Sequence, residues 1–592
     1  MTQGTQIPIQ TISNNTVTVS FKDAALTLKV TPQITAADTV IMRIAVENAS
    51  PDFSRSINNI PPIDTQRALT QVLVSNGETT VIGGIYTGFF TPTEAAAMSA
   101  QAYARALNFP GVCFGASGPG TINLTTGLAN ALIDGVPVVA FGGSSPINEY
   151  GNGSFQEIDQ VAIMKPVTKW ANRIYETRRI PELIDLAFRQ SISGKPGPVY
   201  LDLPSDVINN TIDDATVVWP DFNKTLVRAR PQGDPALIEE AIKLLEKAQK
   251  PVILSGSGVL WSGAEAELRQ FVIDKGIPIY TTPQGRGVLE EDHPQAFLNA
   301  RSSAMKETDC ILVVGTRLNY VFGHVKPPRV SGNAKIIRID IDANEISGSQ
   351  RMDVAITGDA KMVMRQLLDA SATRIKSSLY AGWRGRLSEI ENLKAPESEK
   401  AMSTSNLPIH PLRLCKEVRD FIDRDGVLVV DGQEILNFGR QSIPTFFPRH
   451  RINSGTFGTM GVGMPFGVGA KVARPDKQVI VLHGDGSFGL NCMELDTAAR
   501  HKLPIIVVIS LNGGWTADPK GEKPGRNLGY TRFDQFAQSL GCHGEHVTKP
   551  EDIRPALERA KEAIKNGKPA LVNVVTDDAA RAVTVRFTKT AT

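Results

Sequence analysis

HGDGSFGLNCMELDTAARHKLPIIVVISLNGGW, residues His483 to Trp515, opens on Gly-Asp-Gly-Ser and closes on Asn-Gly-Gly. The apolar run VIVL just before it ends in the glycine turn, so it reads as a buried strand that carries Asp485 to its carboxyl end. FGLNCMELDTAARHK then reads as a helix, and LPIIVVISL as a second strand that ends at Asn512. In a strand-helix-strand unit the two strands run parallel and both ends fall on one edge of the sheet. Open α/β sheets bind ligands at that edge, and glycines there let the backbone approach a phosphate. A carboxylate from Asp485, an amide oxygen from Asn512 and a main-chain carbonyl are hard oxygen donors. They suit Mg²⁺ shared with the oxygens of a bound diphosphate.

The rest of the chain builds outward from that unit. Its 592 residues are too many for one core and predict roughly three or four domains. Composition is that of a globular protein, with 41% hydrophobic and 21% charged residues. A net charge of +2 gives no reason to expect nucleic acid or a membrane surface as partner. Cys113, Cys310, Cys415, Cys492 and Cys542 lie far apart, without metal or redox spacing, as expected of reduced thiols in a cytoplasmic protein. No signal peptide and no run of about 18 apolar residues is visible, so membrane association is not expected.

Two styles of sequence are joined. Residues 1–87 read as an all-β segment: NTVTVSFKDAALTLKVTPQI and DTVIMRIAVENAS alternate apolar and polar residues with a period of two. From Glu94 onward strands and helices alternate, the signature of α/β domains with doubly wound parallel sheets. Residues 88–215 form the first, with EAAAMSAQAYARALN as a helix and PGVCFGAS, VPVVAFGGS and PVYLDLP as strands. Residues 230–372 form the second, with KPVILSGSG, GIPIYTT, DCILVVGTRL and AKIIRIDID. A polar helical stretch at 373–408 reads as a linker, and 409–592 as the third domain.

The GDGS-to-Asn spacing resembles the signature of thiamine-diphosphate-dependent enzymes. That resemblance implies pyrimidine-binding, central and diphosphate-binding domains in this order, with Asp485, Asn512 and the main-chain oxygen of Gly514 as ligands of Mg²⁺. It also implies that Gly484, Gly486 and Ser487 lie against the diphosphate. PRHRINSGTFGTMGVGMPFGVGA resembles the segment that cups the thiazolium ring. There Thr459 and Met460 are the expected cofactor contacts, Met460 as the bulky residue under the bent cofactor. Within the family, GGSSPINEYGNGSFQEIDQ resembles 2-hydroxyacyl-CoA lyases and oxalyl-CoA decarboxylases, which implies that Phe155 and Gln156 face the reacting carbon. The second domain resembles the one that holds an ADP-like or CoA-type nucleotide, with Asp340 and Asp342 as candidates for its ribose; the other reading is of solvated strand ends. Acetolactate synthases share the plan, so a 2-oxoacid carboligase or decarboxylase stands beside the acyl-CoA lyase. The family also implies a homodimer or homotetramer.

The chain departs from the family in two places. The family's catalytic glutamate lies ten residues before the tyrosine of Tyr-Ala-Arg, which here is Thr93; Glu94 is one residue late, about 100° round a helix. Glu94 is the candidate proton relay, against a plain first-turn acid favoured by the helix dipole, and Thr93 is a candidate N-cap. The family's first strand and helix are absent, and residues 1–87 instead resemble secretins. The chain reads as a chimera, a genuine fusion or a misjoined gene, with its join between Thr87 and Glu94. A secretin-type structural fragment carrying a catalytically impaired passenger is therefore a third reading. GWTADPKGEKPGRNLGYTRFD is either a loop that closes over substrate or a solvent loop.

Overall fold

The computed structural model describes residues 2–13, 16–34, 39–51, 63–75, 93–346, 352–515, 522 and 524–582. The join region before Thr93, the side chain of Thr93 and residues 516–521 and 523 of the glycine- and lysine-rich loop lie outside the described residues. The chain divides between Phe89 and Phe90 into two compact units.

The first unit is an antiparallel meander of four strands in sequence order: β1 (Thr2–Ser13), β2 (Thr16–Ile34), β3 (Thr39–Pro51) and β4 (Ile63–Ser75). The register runs from Thr2 opposite Thr27 through Leu26 opposite Asn48 to Thr39 opposite Ser75.

The second unit holds three parallel sheets. The first has the order β5 (Gly111–Gly115), β6 (Val138–Ser144), β8 (Val199–Pro204), β7 (Trp170–Arg173). The second has the order β10 (Ile279–Thr281), β9 (Pro251–Ser255), β11 (Cys310–Val314), β12 (Lys335–Asp340), β13 (Val354–Thr357). The third runs β15 (Arg451–Ile452), β14 (Val427–Asp431), β16 (Val479–Gly484), β17 (Ile506–Leu511), β19 (Ala570–Val575), β18 (His543–Val547). Its inner strands β14, β16, β17 and β19 are apolar on both faces because both are covered. Val479 and Val481 join one core cluster with Phe466 and Leu495, while Ile480 and Leu482 join another with Leu414 and Leu557.

The stretch read as a linker contains a packed helix, Ala381–Met402. Trp383, Leu387 and Ile390 recur at helical spacing and enter the core of the second sheet's domain, which ties that stretch to the domain before it. Five further helices position the site: α1 (Thr93–Leu107), α2 (Thr125–Asp134), α3 (Gly463–Ala473), α4 (Asp485–Leu490) and α5 (Glu494–Arg500). Helices α1 and α3 cross closely. Ser99 donates to the carbonyl of Pro465 at 3.0 Å, and a Cβ at Gly469 would lie 2.1 Å from the Ser99 carbonyl oxygen. Among the described residues no helix is long and apolar enough to cross a membrane.

Candidate active site

Parallel register brings the ends of β14, β16 and β17 to one edge: Asp431 lies opposite His483, and Gly484 opposite Ser510. Asp485 follows at the start of α4 and is buried, only 4% exposed. Its carboxylate accepts the N–H of Gly486 at 2.8 Å and of Gly514 at 3.0 Å. One end of the Asn512 amide stands 3.1 and 3.3 Å from the two Asp485 oxygens and 2.9 Å from the Gly514 carbonyl. Turned nitrogen-first, that amide donates to all three. Turned oxygen-first, it sets the amide oxygen beside both the Asp485 carboxylate and the Gly514 carbonyl. Mg²⁺ binding oxygens octahedrally at about 2.0–2.1 Å needs neighbouring oxygens about 2.9–3.0 Å apart. The donor set therefore fits that ion. Burial pushes the Asp485 carboxyl up to about 6, against the backbone N–H groups of Gly486, Gly513 and Gly514, so a cation there would compensate a costly charge. Among the described residues no cluster of three His, Cys, Asp or Glu could hold a metal, so this mixed oxygen set stands without a competitor of that kind.

The phosphate side of the turn is equally tight. A Cβ at Gly486 would lie 2.8 Å from the Trp515 ring, and Gly432 has φ +115 with the Gly484 N–H 3.1 Å from where its Cβ would be. Ser487 donates to the carbonyl of Gly484 at 3.0 Å and stands 3.1 Å from His483 Nδ1. A serine hydroxyl has one proton, so in this arrangement His483 donates and Ser487 accepts. His483 is fully buried; burial holds it neutral, its pKa pushed down to about 3. Asp431 accepts from Gly432 at 2.7 Å and from Gly463 at 2.9 Å. Neither His483 nor Asp431 was singled out in the sequence. The two parallel strands that each end in an acid before glycine, VLVVDG and VLHGDG, were the available signal.

The loop before α3 carries Thr459 and Met460. Gly455, Gly458 and Gly461 turn it with positive φ, and Asn491 holds its end by donating to the Gly461 carbonyl at 2.9 Å. The Thr459 hydroxyl is buried with no hydrogen-bond partner among the described residues. Both residues line a cavity of about 1490 Å³ that also reaches Asp431, Gly432 and the carboxyl edge of the second sheet. Asp340 lines it too, and burial raises its pKa. Asp342 does not line it: it caps its own turn, accepting from Asn344 at 3.0 Å, and lies 3.6 Å from Lys195. Arg286, Arg301, Arg329 and Arg440 share the cavity wall. Burial, and then Arg440, Arg286 and Arg329 among its neighbours, push Arg301 down to about 10.

The pyrimidine-domain residues stand apart from this wall. Glu94 occupies the first turn of α1, half-buried, with its pKa raised by burial. Phe155 is 86% exposed, and Gln156 has φ +58 on the same surface loop. Glu157 braces that loop by accepting from Gly151 at 2.7 Å and Ser154 at 3.0 Å. Below it, buried Gln160 accepts from the Gly118 N–H at 2.6 Å and donates to Asp202 at 2.7 Å. Glu94, Phe155 and Gln156 do not line the cavity that Thr459 and Met460 line.

Three stretches match thiamine pyrophosphate enzyme families: the N-terminal TPP binding domain over residues 89–163, the central domain over 238–367 and the C-terminal TPP binding domain over 437–574. Residues 1–89 match the bacterial type II and III secretion system protein family, the secretins. A probable acetolactate synthase large subunit of Methanococcus aeolicus is 35% identical over 515 residues, covering 82% of this chain and 84% of that protein. The 2-hydroxyacyl-CoA lyase 1 of Mus musculus is 32% identical over 502 residues, 81% and 86% of the two chains. The oxalyl-CoA decarboxylase of Escherichia coli K12 is 32% identical over 520 residues, 84% and 90%.

Proposed function

Because the chain belongs to the thiamine-pyrophosphate enzyme family of acetolactate synthases, oxalyl-CoA decarboxylases and 2-hydroxyacyl-CoA lyases, we propose that it is a Mg²⁺-dependent lyase and carboligase of 2-hydroxyacyl-CoA. The observation that carries the cofactor reading is the set of Asp485, Asn512 and Gly514 oxygens spaced for an octahedral cation. The preference for an acyl-CoA rests on the cavity wall. The arginines on that wall, among them Arg301, which burial and then its cationic neighbours Arg440, Arg286 and Arg329 depress, favour an anionic ligand such as the phosphates of CoA.

Thiamine diphosphate, when bound, supplies the electron sink for breaking or making a C–C bond beside a carbonyl. The chain's own residues do the rest. Asp485, Asn512 and the Gly514 carbonyl hold Mg²⁺, and Gly484, Gly486 and Ser487 let the diphosphate lie against the strand end. Thr459, whose buried hydroxyl lacks a partner among the described residues, and Met460 contact the thiazolium side. Glu94, which burial makes proton-retentive and which does not line its own chain's cavity, would hold a proton at N1′ of the aminopyrimidine bound by a second copy. Phe155 and Gln156 are exposed on their own chain and complete the site of a second copy in a homodimer or homotetramer. The substrate splits between its carbonyl carbon and C2, giving an aldehyde and formyl-CoA, with the C2 hydroxyl proton passing to the formyl carbon through the site. The protein works in the cytoplasm.

The 35% identity to an acetolactate synthase favours the carboligation of a 2-oxoacid as the second reading. One experiment separates them. The full chain is titrated with thiamine diphosphate and MgCl₂ in a calorimeter, then given lactoyl-CoA or pyruvate. We expect saturable binding and formyl-CoA plus acetaldehyde from lactoyl-CoA. The Glu94→Gln variant should bind alike and turn over about 10²- to 10⁴-fold more slowly, the usual share of a proton-transfer group. Acetolactate from pyruvate alone would move the substrate to the second reading. Absence of binding would overturn the cofactor assignment.

A further inference from the structure

Asp134 is the last residue of α2, followed by Gly135 in the left-handed conformation with φ +66. An acid there faces the negative end of the helix dipole, and this one is also buried, with its side chain 4% exposed. Burial raises its pKa, against the opposing pull of Arg105, the Thr456 N–H and Arg317. A residue so poorly placed for its own helix is held for the contacts it makes. One oxygen accepts the Thr456 N–H at 3.0 Å and the other accepts Arg105 Nη2 at 2.7 Å. Arg105, from α1, gives its other nitrogen to the Asn453 carbonyl at 2.8 Å, and its guanidinium lies 5.5 Å from the centre of the Phe466 ring on α3. The pair therefore grips the loop before its first glycine, in its middle and beyond its end. Gly455, with φ +68, packs so closely that a Cβ would lie 2.0 Å from an Asp134 oxygen. From the second sheet's domain, Gln284 donates to the Asn453 carbonyl at 2.9 Å and Tyr320 to the Thr456 carbonyl at 3.3 Å.

We propose that Asp134 and Arg105 are positioning residues that set the Asn453–Met460 loop in its cofactor-receiving shape before the cofactor arrives. The inference rests on the reading of Thr459 and Met460 as cofactor contacts. It makes the loop's shape depend on the pyrimidine-binding domain of the same chain, across the domain boundary, through one carboxylate and the guanidinium paired with it.

The test uses the full chain and two readouts besides turnover. In the cofactor-free protein, hydrogen exchange of the Thr456 amide is followed by mass spectrometry; protection of at least tenfold over its exposed neighbours is expected, and an unprotected amide overturns the proposal without any variant. Asp134→Asn keeps the size and one acceptor but loses the charge. It should raise the Kd for thiamine diphosphate at saturating Mg²⁺ by at least tenfold and reduce Thr456 protection, with Asp134→Ala worse in both. Arg105→Lys should give a similar loss, since a single ammonium cannot bridge Asp134 and Asn453 together. Variants that bind within twofold of the parent, or that lose melting temperature with Kd unchanged, would assign the pair a plain packing role and overturn the proposal. If the parent itself binds no thiamine diphosphate while Thr456 is protected, the cofactor reading fails, and the positioning role falls with it.

Discussion

Glu494 carries the sharpest consequence for stability. It opens α5, the helix that follows the Asp485 turn, yet is only 1% exposed, and neither carboxyl oxygen has a hydrogen-bond partner of good geometry. Burial pushes its pKa up to about 7, with Thr497 and Arg500 pulling it down only in part. Against its ordinary value of 4.5 that is worth about 3 kcal/mol of preference for the neutral form in the fold. The sign follows from proton binding. Below about pH 4.5 both folded and unfolded chains hold the proton and the residue is silent. Between about 4.5 and 7 the unfolded chain ionises while the folded one does not, so stability falls by about 1.4 kcal/mol per pH unit. Above about pH 7 the loss levels off near 3 kcal/mol. Glu494→Gln removes this slope while keeping the shape. Urea unfolding of the cofactor-free protein at pH 5 and pH 8, read by tryptophan fluorescence, should favour the variant by about 3 kcal/mol at pH 8 and by less than about 1 kcal/mol at pH 5. Parallel pH dependence of the two proteins would refute the reasoning. So would a variant that is less stable at pH 8, which would mean that the carboxylate has a partner worth more than its burial costs.

Asp485→Asn keeps one of the two acceptor oxygens that the Gly486 and Gly514 N–H groups use and removes the charge that a cation needs, so calorimetry should show Mg²⁺ affinity lowered at least tenfold, while the metal-free protein should lose little melting temperature because the relief of a buried carboxyl at about 6 offsets the one lost backbone contact. Gly486→Ala places a methyl carbon 2.8 Å from the Trp515 ring; the displaced indole should change its fluorescence, cost about 1–3 kcal/mol and weaken metal binding through the adjoining Gly514 carbonyl, measured by chemical unfolding and Mg²⁺ titration.

The legible part of this molecule is local. The Asp485 turn and Asn512 could be placed on one sheet edge because each follows an apolar strand and one helix separates them, so the crossover rule did the rest. The four strands read in the third domain, β14, β16, β17 and β19, are the ones buried on both faces. The two not read lack that signal: β15 is two residues long, and β18, HGEHV, is polar because it lies at the edge. The helix Ala381–Met402 reads as part of a linker because its core contact rests on Trp383, Leu387 and Ile390 among charged neighbours and a proline. The expectation that a first strand and helix are absent concerns the pyrimidine-binding domain. Its sheet has four strands with β5 at the edge, and Val112 and Phe114 stand 43% and 61% exposed on the face away from α1. Strands of parallel sheets are ordinarily covered on both faces.

What local reading could not find is the charge that is buried. Nothing in LANALID says that Asp134 ends its helix inside the protein, and nothing in CMELDTAA says that Glu494 lacks a partner; both are facts of tertiary packing. Yet these residues share a physical character with Asp485 and Asp431. Each is a carboxyl whose pKa the fold raises by burial, and each belongs to an element that builds the strand-end site or its loop. Four raised acids in one neighbourhood are a poor way to make a stable protein and a good way to make a site that is completed by cations and hydrogen-bond donors. On that argument the cost of the site lies in its empty form, and ligand binding should stabilise this half of the chain more than the contacts of the ligand alone would suggest.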